Sequence, residues 1–209
     1  MRLCMVLLFW LLAQPVWAAE SPERSLAGVQ LAIDRHDFEM FEKHVDVRGL
    51  VAKGVDAFIA DFAANPPGGE GDPLMEMLSG GLASHSQTPA SQYMKEILVE
   101  ETRKFVIRGV ASGSFAGQPS KKESLPDGGL LSALFADVST ARKELHQITV
   151  RSVSGDKASA SAWVYDHGSE RGYPLRLGLK RQPQGHWRVT EVSNMGELIR
   201  MVRQEAEAR

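Results

Sequence analysis

Cysteine is nearly missing from this chain. Its single thiol, Cys4, lies in an apolar N-terminal segment, so the remainder of the 209 residues carries none. Disulfides, cysteine nucleophiles, thiolate zinc sites and iron–sulfur clusters are thereby excluded from the body of the protein. An excess of one charge is missing too: 24 basic against 26 acidic residues leave a net of −2, with no block of like charge. That balance argues against a nucleic-acid footprint. The spacings of familiar chemistry are also absent. No serine stands in Gly-x-Ser-x-Gly, no Gly-Lys-Ser or Gly-Lys-Thr follows the glycine clusters, and neither His-x-x-x-His nor Glu-x-x-His occurs. An α/β-hydrolase elbow, a phosphate-binding loop and a helical metal site are therefore unsupported.

What the chain does have begins at its N-terminus. Arg2 precedes an apolar run from Leu3 to Ala13, Pro15 breaks the run, and Val16-Trp17-Ala18 places small residues at −3 and −1. This is the pattern of a secretory signal peptide, 1–18, cleaved near Ala18 to give a periplasmic or secreted protein. An uncleaved anchor is the alternative, and contact with a membrane is expected through this segment alone. Residues 19–209 are then expected to form one α+β domain, helical over 24–139, with a sheet over 146–192 and a C-terminal helix over 194–207.

The best-patterned stretch lies late. Ile148–Val153, Ala158–Tyr165, Tyr173–Arg181 and His186–Val192 read as four strands separated by turn chemistry at Ser154-Gly155-Asp156, His167-Gly168 and Pro183-Gln184-Gly185. They predict a curved antiparallel sheet of about four strands. Alternation leaves the second strand ambiguous, with Ala158, Ala160, Ala162 and Val164 in one row and Ser159, Ser161, Trp163 and Tyr165 in the other. Upstream, apolar spacing predicts helices that pack on this sheet. Asp37 and Asp46 stand where two of them start, so capping explains both carboxylates better than catalysis does. Val47, Val51, Gly54, Phe58 and Phe62 share a stripe, with Lys53, Asp56 and Asp61 expected in water. Further helices are expected over 73–84, 91–110 and 129–139. Gly109, Gly113 and Gly117 read as a fraying helix end. Asn194 and Glu197 have capping-box spacing before a last helix that buries Met195, Leu198 and Val202. His36 and His44 are too separated by the break at Asp37 to share a metal.

Ala32-Ile33-Asp34-Arg35-His36-Asp37 with Val45-Asp46-Val47-Arg48-Gly49-Leu50 is similar to a family of bacterial exported proteins of unknown function. The order of helices, short Val45-Asp46-Val47 element and late meander ending Gly185-His186-Trp187-Arg188-Val189 resembles the ketosteroid-isomerase/SnoaL-like (nuclear-transport-factor-like) cone fold. The resemblance implies an architecture and almost no chemistry, because such folds host enzymes and binding modules alike.

The expectation from all this is an exported, non-enzymatic binding or interaction module without cofactor or metal. Its ligand is expected to be small and apolar, lined by Trp163, Tyr165, Tyr173 and Leu177 between sheet and helices. An envelope protein is the other expected partner. Two alternatives stay open: a cone-fold isomerase or hydrolase using an isolated Asp or His in that pocket, and an envelope structural protein pairing through its C-terminal helix. Asp166-His167, in a turn between strands, could hold catalytic residues, but turn-forming polarity is its ordinary explanation.

Overall fold

Short polar side chains mark where the helices begin. A computed structural model describes residues 20–65, 88–118 and 141–207. Ser21 caps α1 (Pro22–Asp34) by accepting from the Arg24 N–H, and Pro22 occupies the first turn, where no intrahelical donor is needed. Asp37 accepts from the Met40 N–H at 2.8 Å and opens α2 (Phe38–His44). Asp46 accepts from the Gly49 N–H and opens α3 (Val47–Ala64), which stops at Asn65. Thr88 caps α4 (Pro89–Ala111). The expected helices over 73–84 and 129–139 lie outside the described residues.

Four strands follow: β1 (Lys143–Ser154), β2 (Lys157–Asp166), β3 (Arg171–Arg181) and β4 (Trp187–Val192). They form one antiparallel sheet in the order β1-β2-β3-β4, and α5 (Met195–Glu207) closes the described chain. This is the expected α+β layout. Gly155 and Gly185 hold positive φ in the first and last hairpin turns, where a side chain would be strained. β1 starts five residues before its alternation becomes visible. Irregularities between His146 and Thr149 and between Val150 and Ser152, with Gln147 at φ 50°, break the period of two and hide its first half.

The register resolves the two rows of β2. Ala158 pairs with Leu179, Ala160 with Leu177 and Ala162 with Leu175, and these side chains join Leu26, Trp187 and Val189 in the main core. Small alanines here leave room for α1, whose Leu26 is 1% exposed. The opposite row, from Ser159 to Tyr165, faces away from the helices. Two smaller clusters extend the core, Val55–Phe62–Leu98 between α3 and α4, and Ile33–Val110–Ala116 under the turn after α4. Val45 makes an isolated parallel bridge to Val189 of β4, and the Asp46 N–H donates to the Val189 carbonyl at 2.9 Å.

Several local expectations are corrected. Asp61 does not face water: its side chain is 11% exposed and lies 3.2 Å from Arg203 of α5. Asn194 spends its side chain on β3, accepting from the Arg176 N–H and donating to the Pro174 carbonyl, because that edge otherwise lacks partners there. Val202 is 49% exposed, since α5 turns its Met195, Arg203 and Glu205 inward instead. Gly113 (φ 77°) and Gly117 (φ 74°) flank a single 3-10 turn, Ser114–Ala116, and Gly109 lies directly under the Phe115 ring. The three glycines thus build a tight corner and do not mark fraying. No described helix is long and apolar enough to cross a membrane.

Candidate functional site

The polar chemistry gathers where β1 begins and β2 ends. Lys143 pairs with Asp166 in register and Glu144 with Tyr165, so the period of two sends the ion pair to one side of the sheet and Glu144 with Tyr165 to the other. On the helix side, Lys143 Nζ donates to Asp166 Oδ1 at 2.6 Å, with the carboxylate only 9% exposed. Asp166 also accepts from the Gly168 N–H at 2.9 Å and from Ser169 Oγ at 3.2 Å, which fixes the turn after β2. Ser169 Oγ meets Tyr173 Oη, and Tyr173 donates to Glu205 Oε2 at 2.5 Å. Burial pushes the Lys143 ammonium below its usual range, and the bond and charge of Asp166 oppose that shift. Burial, followed by the bond to Glu205, raises the Tyr173 phenol.

On the other side, Glu144 is a hub. His167 donates from Nε2 to Glu144 Oε2 at 3.0 Å, and the same oxygen lies 3.7 Å from His146 Nε2 and 3.7 Å from Arg142 Nε. The bond from His167 holds the Glu144 carboxyl below its usual range, aided by the charges of Arg142, His146 and His167. The Tyr165 ring meets both imidazoles edge-on, at 4.9 Å from His167 and 6.4 Å from His146. A carboxyl whose folded pKa is depressed stabilises the fold above its unfolded value and loses that contribution as the pH falls through the folded one. Glu144→Gln is accordingly expected to narrow its stability gap to the wild type as pH falls below about 4.3. Urea midpoints measured between pH 7 and 3 check this, and a constant gap would contradict it.

His167 and Arg142 also line a cavity of about 570 Å³, shared with Ser114, Ala116, Gly117, Gln118 and Ala141. The His167 N–H donates to the Arg142 carbonyl at 3.0 Å, which ties the two walls together. A Cβ on Gly117 would lie 3.2 Å from Arg142 Cβ, so the glycine corner after α4 is what lets that loop close on the arginine. Ser114 is held by a 2.8 Å bond between its Oγ and that of Ser112. The Arg142 Nε is buried, and no hydrogen-bond acceptor reaches it. A second cavity of about 440 Å³ lies between α2 and the β3–β4 turn, lined by Glu39, Glu42, Lys43, Gln182, Gln184, His186 and Arg188. Its acids and bases are mixed, and burial lowers the His186 imidazole.

The structure does not assemble the expected pocket. Tyr173 and Leu177 pair with Val164 and Ala160 and point toward the helices, whereas Trp163 and Tyr165 lie on the opposite face. Strand alternation forbids the four from lining one cavity. Of them Tyr165 adjoins the Glu144 cluster, and Tyr173 belongs to the Asp166–Ser169–Glu205 network on the helix side. Asp166 and His167 are both engaged in these clusters, Asp166 as the organiser of the turn and His167 on the cavity wall. Glu144 and Arg142 were not singled out from sequence, and their only signal was an alternation of charges before the strand became legible. His44 is buried against Gly28 with Nδ1 3.4 Å from the Trp187 carbonyl, while His36 packs beside Gly113, so the two do not meet. Among the described residues no group of three or more His, Cys, Asp or Glu could hold a metal ion. No family model, curated protein or solved structure matches this chain.

Proposed function

We propose that this protein is an exported, non-enzymatic binding module that holds a small anionic ligand, a carboxylate or phosphate, in the cleft between the start of β1 and the glycine corner after α4. The observation that carries the reading is Arg142: its Nε–H is buried on the cavity wall and meets no hydrogen-bond acceptor, the Glu144 carboxylate standing 3.7 Å away. A buried donor short of an acceptor gains when something accepts from it, and guanidinium matches the paired oxygens of carboxylate and phosphate. Ser114 lines the same cavity and offers a hydroxyl. This reading takes a polar ligand in place of the small apolar one expected from sequence. The parallel bridge of Val45 beside the last strand supports a cone-type arrangement, and the leader-like N-terminus supports export.

Citrate and inorganic phosphate, titrated calorimetrically into the purified chain, are the test. One of them is expected to bind, and Arg142→Ala to weaken it at least tenfold, a loss of about 1.5–3 kcal/mol for a hydrogen bond to a charged group. Binding of laurate but of neither anion would restore the apolar reading. Export is checked by the mass of the periplasmic protein, expected to begin at Ala19.

A hydrolytic reading rests on one further observation. With Nε2–H given to Glu144, the basic nitrogen of neutral His167 is Nδ1, and Ser114 lines the same cavity. Turnover of a nitrophenyl ester that both His167→Ala and Ser114→Ala abolish would favour it. The pairing role is disfavoured, because α5 is engaged within the chain through Met195 on Gly54, Arg203 with Asp61 and Glu205 with Tyr173.

A further inference from the structure

One buried imidazole has no part in the cleft. His44, the last residue of α2, is 3% exposed and stands where three elements meet. Its Nδ1 lies 3.4 Å from the Trp187 carbonyl of β4. Its Nε2 faces α1 at Gly28, where a Cβ would stand 2.8 Å from that nitrogen, so a glycine is what lets the helix come down on the ring. A second imidazole, His186 of the β3–β4 turn, meets the first edge-on, with ring centroids 5.7 Å apart and planes at 85°. The pair adjoins the crossing that holds α2 to the sheet. His44 is followed directly by the Val45 bridge to Val189 and by the Asp46 N–H, which donates to the Val189 carbonyl at 2.9 Å.

Imidazole is the side chain that changes charge in mild acid, and this place is ill suited to two imidazolium ions. With Nδ1–H given to the Trp187 carbonyl, a proton added to His44 goes to Nε2, against the α1 backbone at Gly28. A charge buried there is poorly screened from a second one on His186. The surrounding groups add cations of their own: Lys43 of α2 and Arg188 of β4 line one cavity with His186, and Arg181 of β3 stands 4.6 Å from the Trp187 ring. Against them are Glu39 and Glu42 of α2 in that cavity, Glu20 ahead of α1, and the carbonyl end of α2 itself. Glu42 is shared with Arg103 of α4 at 4.0 Å, and Arg188 with Asp46 at 3.8 Å. The balance at His186 goes against the cation. Burial pushes its imidazole below the usual range, the charges of Lys43 and His44 add to this, and the Lys43 backbone and Glu20 only oppose it. From this we infer that His44 and His186 form an acid-sensitive latch: with both rings neutral α2 is held against β4, and protonation of the pair loosens it at the Val45–Val189 bridge. The latch is separate from the Arg142 cleft and stands or falls without it.

The sign follows from linkage. An imidazole whose folded pKa is lowered withdraws stability as the pH falls through about 6.5, its unfolded value, toward the folded one. The window lies above that of Glu144, whose own lowered pKa acts in stronger acid. Hydrogen exchange of the Asp46 amide in the purified chain reads the latch, expressed as a protection factor so that the intrinsic pH dependence of exchange drops out. Between pH 7.5 and 5.0 the wild type is expected to lose about tenfold in protection, and His186→Gln about twofold or less. His44→Asn, whose amide can replace Nδ1–H as the donor to Trp187, is expected to behave as His186→Gln does. If His44→Asn does not fold, His186→Gln decides, because its ring is only partly buried. Unchanged protection in the wild type, an equal loss in His186→Gln, or a folded His44→Asn that keeps the full loss overturns the inference.

Discussion

Trp187→Ala is expected to lower the stability of the fold by about 3–5 kcal/mol, the range for removing a buried aromatic side chain. The residue is 0% exposed and sits in the main core with Leu26, Ala160 and Leu179. Its surroundings are more than apolar. The indole Nε1–H donates to the Glu20 carbonyl at 2.8 Å, and the backbone N–H donates to Ser25 Oγ at 2.9 Å. The Arg181 guanidinium stands 4.6 Å from the ring, a cation–π contact from the adjoining strand. Alanine would open a cavity and strand the acceptor that holds the start of α1, so the first helix and the last strand loosen together. Trp187→Phe keeps most of the volume and loses the indole donor, and its loss is expected to be smaller by about half. Domains of this kind have about 5–15 kcal/mol to lose, so the alanine variant should shift its urea midpoint far down. A midpoint within error of the wild type would show that the core does not depend on this residue.

Trp187 was legible early, because Gly185-His186-Trp187-Arg188-Val189 reads as a turn and a strand whose aromatic faces inward. The caps at Asp37 and Asp46 were legible for the same reason: a carboxylate and the N–H it accepts lie three residues apart, so the sequence contains both partners. The rows of β2 were not. Alanine and serine alternate there, and small side chains of either kind suit a close approach or an exposed face. What decided between them was Leu177 and Leu179, through a register that only the folded sheet reveals. The same holds for Asp61, whose partner Arg203 is 142 positions away. The cleft was hidden because its members come from the glycine corner, the start of β1 and the β2–β3 turn. The neighbouring Glu144 was hidden by the irregularity at Gln147, which left the first residues of β1 outside the legible strand. Sequence reasoning placed Trp163 and Tyr165 in a pocket with Tyr173 and Leu177. Their parity denies the pocket.

Asp166→Asn is expected to destabilise the fold by about 3 kcal/mol at neutral pH, the low end of the range for removing one partner of a buried ion pair. The carboxylate is 9% exposed and the ammonium of Lys143 is 20% exposed, so neither is well screened by water. The amide keeps one acceptor oxygen for the Gly168 N–H or Ser169 Oγ, but it returns no charge to Lys143. The pH dependence has a definite sign. Burial already lowers the Lys143 pKa from 10.5, and the bond and charge of Asp166 are what raise it back. Without them the folded pKa falls further, while the unfolded value is unchanged. A group with a depressed ammonium pKa makes folding unfavourable wherever it is protonated in both states, and that penalty fades as the pH rises through the folded value toward the unfolded one. The gap between wild type and Asp166→Asn should therefore be widest near pH 7 and narrow toward pH 10. Tyr173 titrates in the opposite sense there, its raised pKa giving a contribution lost only as pH rises through its folded value, but it does so in both proteins and largely cancels from the difference. Urea midpoints for the two proteins at pH 7, 9 and 10 measure the effect, and a gap that widens with pH would contradict it. The same substitution tests the cleft. Asp166 fixes the turn that carries His167, so Asp166→Asn should also weaken anion binding without touching Arg142. A variant that is destabilised yet binds citrate or phosphate as the wild type does would place His167 outside the binding contacts and leave Arg142 to hold the ligand.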